Sequence, residues 1–454
     1  MVQGLWFQTA LLPPGWADDV RIEHVDGRIA HIEVGVQPQP GDDRGAVALP
    51  GLPNLHSHAF QRGMAGLAET RGPSDDSFWT WREVMYRFLD RLTPDDVEAI
   101  AALAYAEMLE AGFTRVGEFH YLHHDAGGRA YDDPAEMAGR IAAAAGTAGM
   151  GLTLLPVFYA HGGFGGAPAN PAQRRFLNDT DSFARLVEAC RGHLSGLPDA
   201  NLGIAPHSLR AATPEQLRRI TPLAGDGPIH IHIAEQVREV HDCLAWSGRR
   251  PVDWLLDHAR VDRRWCLVHA THISETETVR LAVSGATVGL CPITEANLGD
   301  GVFPAARFLD EGGVFGIGSD SNVLIDAAEE LRVLEYGQRL TRQARNVLSA
   351  RGRPSTGSRL FDVALRGGAR ALGQGQAGLA VGAAADIVAL DAEHPSLVGR
   401  GGDALLDAWI FAARGGAVER VWRGGRKVVE AGRHVDKDAI TRRYRQTLTK
   451  VLSA

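Results

Sequence analysis

The middle of this 454-residue chain alternates short apolar runs with longer helical stretches. Strands that alternate with helices many times over are typical of a parallel sheet covered by helices. Eight runs have strand character: 52–56, 115–119, 152–157, 202–207, 229–232, 266–269, 287–291 and 314–320. Residues able to do chemistry cluster at the carboxyl ends of these runs, which form the active-site face of a (β/α)8 barrel. We therefore predict an α/β chain with a TIM-type (β/α)8 barrel.

Both ends of the chain carry a different pattern, in which short strands surround tight turns. Val20–Val25 and Arg28–Glu33 flank Asp26 and Gly27, a dipeptide typical of a hairpin turn. Comparable runs recur at 385–390 and 418–429. We therefore predict three regions: a small β-sandwich domain formed from both termini (1–48 plus 377–435), the barrel (49–376) and a C-terminal helix (436–454).

Composition argues against several classes of function. The net charge of −8 gives no reason to expect a nucleic-acid partner. The four cysteines are scattered without a CxxC motif, which favours reduced thiols in a cytoplasmic protein. The sequence shows neither a signal peptide nor a run of 18 apolar residues, so we expect no membrane partner. A homodimer is expected only because such barrels commonly form one.

A pair of histidines follows the first predicted strand. His56 and His58 are two residues apart, so in extended backbone their side chains point to the same side. Two imidazoles placed in this way can bind one metal ion, although a histidine pair on a surface loop is the alternative. The strand that precedes them favours the metal site, because it carries both rings to the rim of the barrel.

Three further candidates close later strands. His232, His269 and Asp320 end the fifth, sixth and eighth runs. His230 lies on the same side as His232 and stays open as an alternative ligand, but His232 is nearer the strand end. Asp320 can cap a helix instead, yet convergence with the histidines favours a metal-ligand role. Glu235 can either reach over the metal or begin the next helix.

This set of residues resembles the amidohydrolase superfamily. The superfamily pattern is His-x-His after strand one, histidines at strands five and six, and an aspartate at strand eight, and all of these occur here in order. Residues 379–388 are similar to the family's return into its terminal β domain. The resemblance covers nearly the whole chain and implies a metal-dependent hydrolase.

The distribution of lysine bears on the number of metal ions. Two-metal members of the superfamily usually bridge their ions with a carboxylated lysine near strand four, but here the only lysines are Lys427, Lys437 and Lys450. The resemblance therefore implies one divalent ion, with Zn²⁺ most suitable and Fe²⁺ as an alternative. Its implied ligands are His56, His58, His232 and Asp320.

The resemblance also implies catalytic roles. Asp320 would take a proton from the attacking water, His269 would hold the developing charge, and Glu235 would move protons to the leaving nitrogen. The spacing of His232 and Glu235 is similar to that in the deaminase branch of the superfamily. The expected leaving group is therefore ammonia.

Within that branch the chain resembles the formimidoylglutamate deiminases of histidine degradation. The resemblance rests on residues 54–62, 78–82, 117–121, 205–210 and 291–301. It implies attack of activated water on the formimino carbon of N-formimino-L-glutamate, with N-formyl-L-glutamate and ammonia as products. The two carboxylates of this small-molecule substrate need cationic partners. The implied substrate contacts are Gln61, Arg82, Tyr121, His207 and Arg210.

Two other functions stay open. The first is a deaminase of another C=N substrate, such as a nucleobase or nucleoside. Nucleobase deaminases usually carry Ser-Asn after the Cys-Pro of strand seven, whereas this chain has Thr294 and Glu295 in that region. The second is a non-catalytic barrel scaffold, which the complete set of ligands and proton-transfer residues disfavours.

Several conspicuous residues are predicted to have other roles. His120, His123 and His124 follow the second strand, which is not a ligand position in the superfamily pattern. The long connection 62–92 is predicted as a lid or binding loop, in which Trp79 and Trp81 pack.

Overall fold

The structure, a computed structural model, describes residues 3–71 and 77–453. Its strands in chain order are β1 (Gln3–Leu12), β2 (Gly15–Val25), β3 (Arg28–Glu33), β4 (Asp43–Pro50), β5 (Leu52–Ser57), β6 (Phe113–His120), β7 (Gly151–Phe158), β8 (Asn201–Leu202), β9 (Ala205–Pro206), β10 (Ile229–Ile233), β11 (Trp265–His269), β12 (Thr287–Leu290), β13 (Val314–Ile317), β14 (Ile387–Leu390), β15 (Val418–Arg423), β16 (Arg426–Glu430) and β17 (Arg433–His434).

The α-helices cover the barrel and end the chain. In chain order they are α1 (Phe78–Leu89), α2 (Pro94–Glu110), α3 (Glu136–Ala148), α4 (Thr180–Leu194), α5 (Pro214–Ile220), α6 (Val237–Ser247), α7 (Pro251–His258), α8 (Glu275–Ser284), α9 (Pro292–Leu298), α10 (Ala305–Asp310), α11 (Ala327–Arg342), α12 (Thr356–Ala371), α13 (Asp403–Phe411) and α14 (Lys437–Ser453).

Strands β5 to β13 form the predicted barrel. Their sheet is parallel, in the order β10-β11-β12-β13-β5-β6-β7-β8, and β9 pairs with β7. The circle closes where the His230 N–H donates to the Ile204 carbonyl at 3.0 Å and the His232 N–H donates to the His207 carbonyl at 3.0 Å. Every residue of β6 and β7 is buried, as expected of a parallel sheet that is covered on both faces. The (β/α)8 prediction is confirmed.

The fourth predicted strand, 202–207, is divided into β8 and β9. Gly203 lies between them and comes close to the next strand, so that a Cβ built there would lie 2.3 Å from the Pro228 carbonyl oxygen. Glycine permits this approach because it has no side chain. Only the tertiary contact with Pro228 reveals why the strand is interrupted.

The predicted β domain unites both ends of the chain. Its sheet has the order β17-β16-β15-β14-β4-β1-β2-β3 and encloses a separate hydrophobic core that includes Phe7, Ile22 and Trp422. In the β2–β3 hairpin, Asp26 and Gly27 adopt φ values of 50° and 79°, the left-handed backbone that a tight hairpin turn requires. The domain limits 1–48 and 377–435 stay predictions.

Two helices flank the barrel outside its regular repeat. Helix α1 lies in the long connection after β5 and begins with a Ser77–Thr80 capping box. Helix α14 forms where the C-terminal helix was predicted and contacts α2 through a Lys450–Asp96 ion pair at 2.5 Å. Within the described ranges, no helix combines the length and apolarity needed to cross a membrane.

Candidate metal centre and substrate pocket

Three histidines and one aspartate meet at the carboxyl ends of β5, β10 and β13. The Nε2 atoms of His56 and His232 lie 3.0 Å apart. Asp320 Oδ1 lies 3.4 Å from His56 Nε2 and 3.3 Å from His58 Nε2. All four side chains are buried. The structure therefore brings the four predicted ligands together.

The ring nitrogens of these histidines are arranged as metal ligands would be. His58 donates its Nδ1 proton to the Phe119 carbonyl at 2.9 Å, so that its Nε2 lone pair faces the Asp320 carboxylate. Burial lowers the pKa of His56 to about 4 and that of His58 to about 3, and it lowers the pKa of His232 well below its ordinary value. Neutral imidazole lone pairs that converge on a carboxylate form the donor set of a zinc-type site.

Backbone and amide contacts hold the ligands in place. The His58 N–H donates to the Asp320 carbonyl at 2.9 Å, and the Asp320 N–H donates to the His56 carbonyl at 3.0 Å. Asn322 Nδ2 donates to the His58 and Asp320 carbonyls at 3.1 and 3.0 Å. Asp320 has a left-handed φ of 44°, a strained conformation that is often found at functional sites. The ends of β5 and β13 are therefore fixed relative to each other.

His269 belongs to the same group but differs in charge. Its Nε2 lies 3.8 Å from Asp320 Oδ2, and its Nδ1 lies 3.2 Å from Glu295 Oε1. Burial alone would lower the pKa of His269, but Glu235, Glu295 and Asp320 raise it to about 10. Distance alone would admit His269 as a metal ligand. Its Nε2 is farther from the Asp320 carboxylate than the ring nitrogens of His56 and His58 are, so a role beside the ligands, in stabilising negative charge, fits better.

Glu295 is a residue whose role the sequence did not reveal. Besides contacting His269, its Oε1 accepts the Cys291 N–H at 3.0 Å. This carboxylate therefore orients the histidine from the opposite side of the ring. The sequence carried only an indirect signal, since Glu295 lies in the segment that differs from nucleobase deaminases.

Glu235 lies just before α6, beside the ligand cluster. Its side chain is buried, and burial raises its pKa to about 7. The positive charges of His269 and Arg210 lower this pKa but do not cancel the effect of burial. A carboxyl group with this pKa is partly protonated at neutral pH and can both donate and accept a proton. Its backbone N–H donates to Glu239 Oε2 at 3.3 Å, which fixes the turn.

A pocket opens directly over this cluster. Its wall includes Glu235, His269, Asp320 and all five predicted substrate contacts: Gln61, Arg82, Tyr121, His207 and Arg210. Gln61 Nε2 donates to Tyr121 Oη at 2.8 Å, while the buried Gln61 Oε1 has no partner among the described residues. Tyr159, which the sequence analysis did not single out, also lines the pocket and lies 4.6 Å from His207 between ring centroids.

The two arginines of this pocket make no direct contact with an acidic side chain of the described residues. Within residues 3–71 and 77–453, neither Arg82 nor Arg210 forms an ion pair or a hydrogen bond. Arg210 is only 7 % exposed. Burial lowers the pKa of Arg210, but the nearby carboxylates of Glu239 and Glu235 outweigh that effect and raise it. Neither carboxylate is in direct contact with the guanidinium, so its hydrogen-bond donors can pair with an anionic ligand.

The other conspicuous histidines make different contacts. His230 Nε2 lies 2.7 Å from the Ala371 carbonyl. His123 Nε2 and His124 Nε2 contact the carbonyls of Val157 and Leu177. None of the candidate ligand groups found in the described part of the chain includes these three histidines or His120.

A larger cavity, of about 560 Å³, lies between the β domain and the barrel. Its wall includes Arg28, Asp199 and Arg423. It contains none of the candidate ligand groups found among the described residues. The groups able to do hydrolytic chemistry are therefore in the smaller pocket.

Comparison with known proteins agrees with this architecture. The profile of the amidohydrolase family matches residues 47–428. The chain belongs to the amidohydrolase family. A second profile, the N-terminal domain of formimidoylglutamate deiminase HutF, matches residues 6–46. As a member of the family, the chain is a metal-dependent hydrolase of carbon–nitrogen bonds.

Individual members of the family differ in how similar they are to this chain. A formimidoylglutamate deiminase from Pseudomonas aeruginosa is 52 % identical, over 99 % of this chain and 100 % of that protein. A 5-methylthioadenosine/S-adenosylhomocysteine deaminase from Natronomonas pharaonis is 28 % identical, over 91 % and 88 %. The crystal structure of an amidohydrolase from Brucella melitensis has a TM-score of 0.96 and 59 % identity, and the match covers 99 % of this chain and 100 % of that one.

Proposed function

We propose that this protein hydrolyses N-formimino-L-glutamate to N-formyl-L-glutamate and ammonia, a reaction of histidine degradation. The observation that carries the proposal is the pair of guanidiniums, Arg82 and Arg210, which line the pocket and form no ion pair or hydrogen bond with any described residue. A glutamate derivative brings two carboxylates, one for each guanidinium. The full-length similarity to a formimidoylglutamate deiminase supports the same substrate.

The ligand cluster fits one zinc-type ion, held by His56, His58, His232 and Asp320. Three neutral imidazoles and a carboxylate suit Zn²⁺, and Fe²⁺ is the alternative. When bound, such an ion supplies a water molecule acidic enough to act as a nucleophile near neutral pH.

The protein's own side chains then perform four tasks. Asp320, whose pKa the surrounding histidines hold below its ordinary range despite burial, is an anion in the resting site and accepts a proton from the attacking water. His269 stabilises the negative charge that develops on the attacking oxygen. Glu235 passes to the leaving nitrogen the protons that the water gives up, and this nitrogen departs as ammonia. Arg82 and Arg210 orient the substrate by its carboxylates.

The test is ammonia release from N-formimino-L-glutamate by the zinc-loaded protein, with guanine, cytosine and adenosine assayed in parallel. Release from N-formimino-L-glutamate alone is expected. Release from a ring substrate instead would keep the hydrolytic chemistry but refute the assignment of the two arginines. No release from any substrate would refute the proposed activity.

The Arg210→Met variant tests carboxylate binding separately. Removal of a buried, charge-assisted partner should lower kcat/KM for N-formimino-L-glutamate about 100-fold, mostly through KM. The matched control is Arg191→Met, which removes a largely exposed guanidinium on α4, away from the pocket. Its loss should be much smaller. An unchanged kcat/KM in Arg210→Met would remove this arginine from substrate binding.

The remaining parts of the proposal concern location and assembly. We infer a cytoplasmic homodimer without a nucleic-acid partner. The scattered cysteines and the net charge of −8 support the first and last of these expectations.

A further inference from the structure

The indole ring of Trp79 lies among three arginines. The guanidinium carbons of Arg238, Arg82 and Arg210 lie 4.8, 5.0 and 5.8 Å from the centre of its ring. We propose that Trp79 is the positioning residue of the carboxylate site, and that its ring sets the arrangement of Arg82 and Arg210 that selects dicarboxylate substrates. This inference rests on the proposed function.

The three guanidiniums reach the ring from separate parts of the chain. Arg82 lies on α1, three residues after Trp79 and therefore on the same side of the helix. Arg210 follows β9, and Arg238 lies in the first turn of α6, just beyond Glu235. The Trp79 side chain therefore connects α1 with the segment after β9 and with the first turn of α6.

The chemistry of the ring explains why an aromatic residue suits this place. Like charges repel, and nearby groups offset this repulsion: Glu239 and Glu235 act on Arg210, Asp242 pairs with Arg238, and the Tyr86 ring centre lies 5.4 Å from Arg82. Trp79 is the aromatic ring that all three guanidiniums share. The face of an indole attracts cations through its quadrupole but carries no net charge. An acidic residue in the same place would pair with the arginines and compete with the substrate for them.

The hydrogen-bonding state of the arginines agrees with this role. The Nε of Arg210 is buried and has no hydrogen-bond partner among the described residues. The ion pair found for Arg238, with Asp242 at 3.7 Å, is on the exposed surface of α6. The hydrogen-bond donors of Arg82 and Arg210 therefore stay available for ligand carboxylates, while both guanidinium carbons lie within 6 Å of the indole centre.

Selectivity follows from this arrangement. A substrate with two carboxylates can bind both arginines at once. If the two side chains are already held in place, they lose less conformational entropy on binding, and the affinity is higher. A substrate with one carboxylate engages one arginine and gains less. Loss of the ring should therefore weaken binding of dicarboxylates more than binding of monocarboxylates.

The experiment compares Trp79→Leu and Trp79→Phe with the wild-type protein. Binding of glutarate and of butyrate to the zinc-loaded protein is measured by calorimetry, and turnover is measured with N-formimino-L-glutamate and with N-formimino-4-aminobutyrate, which lacks one carboxylate. We expect Trp79→Leu to lose about 10-fold or more in glutarate affinity and in KM for the dicarboxylate, with kcat within about 3-fold. Preference for the dicarboxylate should shrink, and Trp79→Phe should restore part of it.

The control is Tyr336→Leu, which removes an aromatic partner of Arg339 on α11, outside the pocket. It should match the wild-type protein in every readout. Bound metal and melting temperature are measured for all variants, and Trp79→Phe carries the test if the leucine variant does not fold.

Two results would overturn the inference. One is unchanged glutarate affinity in the Trp79 variants, or no glutarate binding by the wild-type protein. The other is an equal loss for both substrates through kcat. Failure of the proposed function is a distinct result, in which the wild-type protein binds glutarate but releases no ammonia from either formimino compound.

Discussion

At the scale of single residues, the same side chain takes opposite charge states within one cluster. His56 and His58 are buried and have lowered pKa values, whereas His269 has a pKa raised to about 10 by nearby carboxylates. The difference comes from Glu235 and Glu295, which flank His269. A histidine's role at this rim is therefore decided by the carboxylates beside it.

The choice between His230 and His232 can be tested by loss of metal. His232→Ala removes a ring nitrogen that lies 3.0 Å from His56 Nε2 and should abolish stable metal binding. His230→Ala is the matched control, because its ring contacts the Ala371 carbonyl instead. It should keep the metal. The metal content of the purified variants shows which histidine is the ligand. Full metal occupancy in His232→Ala would identify His230 as the ligand instead.

Glu235→Gln tests proton transfer without changing the size of the side chain. We expect it to keep its metal and to lose about 10²- to 10⁴-fold in kcat, because an amide cannot pass a proton to the leaving nitrogen. Steady-state kinetics and metal analysis of the same preparation provide the measurement. Turnover comparable to the wild-type protein would exclude Glu235 from the mechanism.

At the scale of elements, the start of α2 combines two local signals with one distant contact. Thr93 and Asp96 form a capping box around Pro94, which the sequence of this helix start specifies. Asp96 also forms an ion pair with Lys450 of α14. The first turn of α2 is therefore also the point at which the C-terminal helix attaches.

Asp96→Ala should lower stability by about 1–2 kcal/mol at pH 7, through loss of the cap and of the ion pair. Burial alone would raise the pKa of Asp96, but Lys450 and Thr93 lower it. A carboxyl group with a lowered pKa stabilises the folded state above its unfolded pKa, and that contribution is lost as the pH falls through the folded value. The wild-type and variant melting temperatures should therefore converge below about pH 4.

Asp95→Ala is the matched control for this prediction. Asp95 lies in the same helical turn, but its side chain is largely exposed and pairs with Arg140. Its loss should change the melting temperature little, because exposed ion pairs contribute little. An equal effect of both variants would show that the contact with Lys450 is unimportant.

At the scale of the whole molecule, buried ion pairs join the β domain to the barrel. Asp199 binds Arg115 of β6 and also Arg423 of β15, the latter at 2.5 Å. Both arginine side chains are at least nine-tenths buried. The Asp199 carboxylate therefore pairs with two cations from different parts of the fold, and Asp386 lies 3.7 Å from Arg423 as a second, more distant partner.

Asp199→Ala should destabilise the protein by about 3 kcal/mol, because it removes the ion-pair partner of buried Arg115 and leaves buried Arg423 with the longer contact to Asp386. This is the low end of the usual range, since Asp199 is itself 27 % exposed. Asp438→Ala, which removes the exposed partner of Arg433, is the control and should have no measurable effect. Thermal unfolding gives both values, and equal melting temperatures would refute the proposed role of Asp199.

Patterns that repeat within a few residues were readable from the sequence alone. The barrel strands, the Asp26–Gly27 hairpin and the C-terminal helix follow from local periodicity and turn chemistry, and each is present. The candidate ligands were found in the same way, because a parallel barrel brings the ends of all its strands to one rim.

Only the tertiary structure decided what depends on pairs of residues far apart in the chain. The contact of His269 with Glu295, the place of Trp79 among three arginines and the interruption of the fourth barrel strand all join such distant segments. Charge states and cation–π contacts change over a few ångströms, whereas the periodicity of a sequence specifies only which face of an element a residue occupies. The sequence therefore determined which side chains reach the rim, and the packing of the fold determined what each can do there.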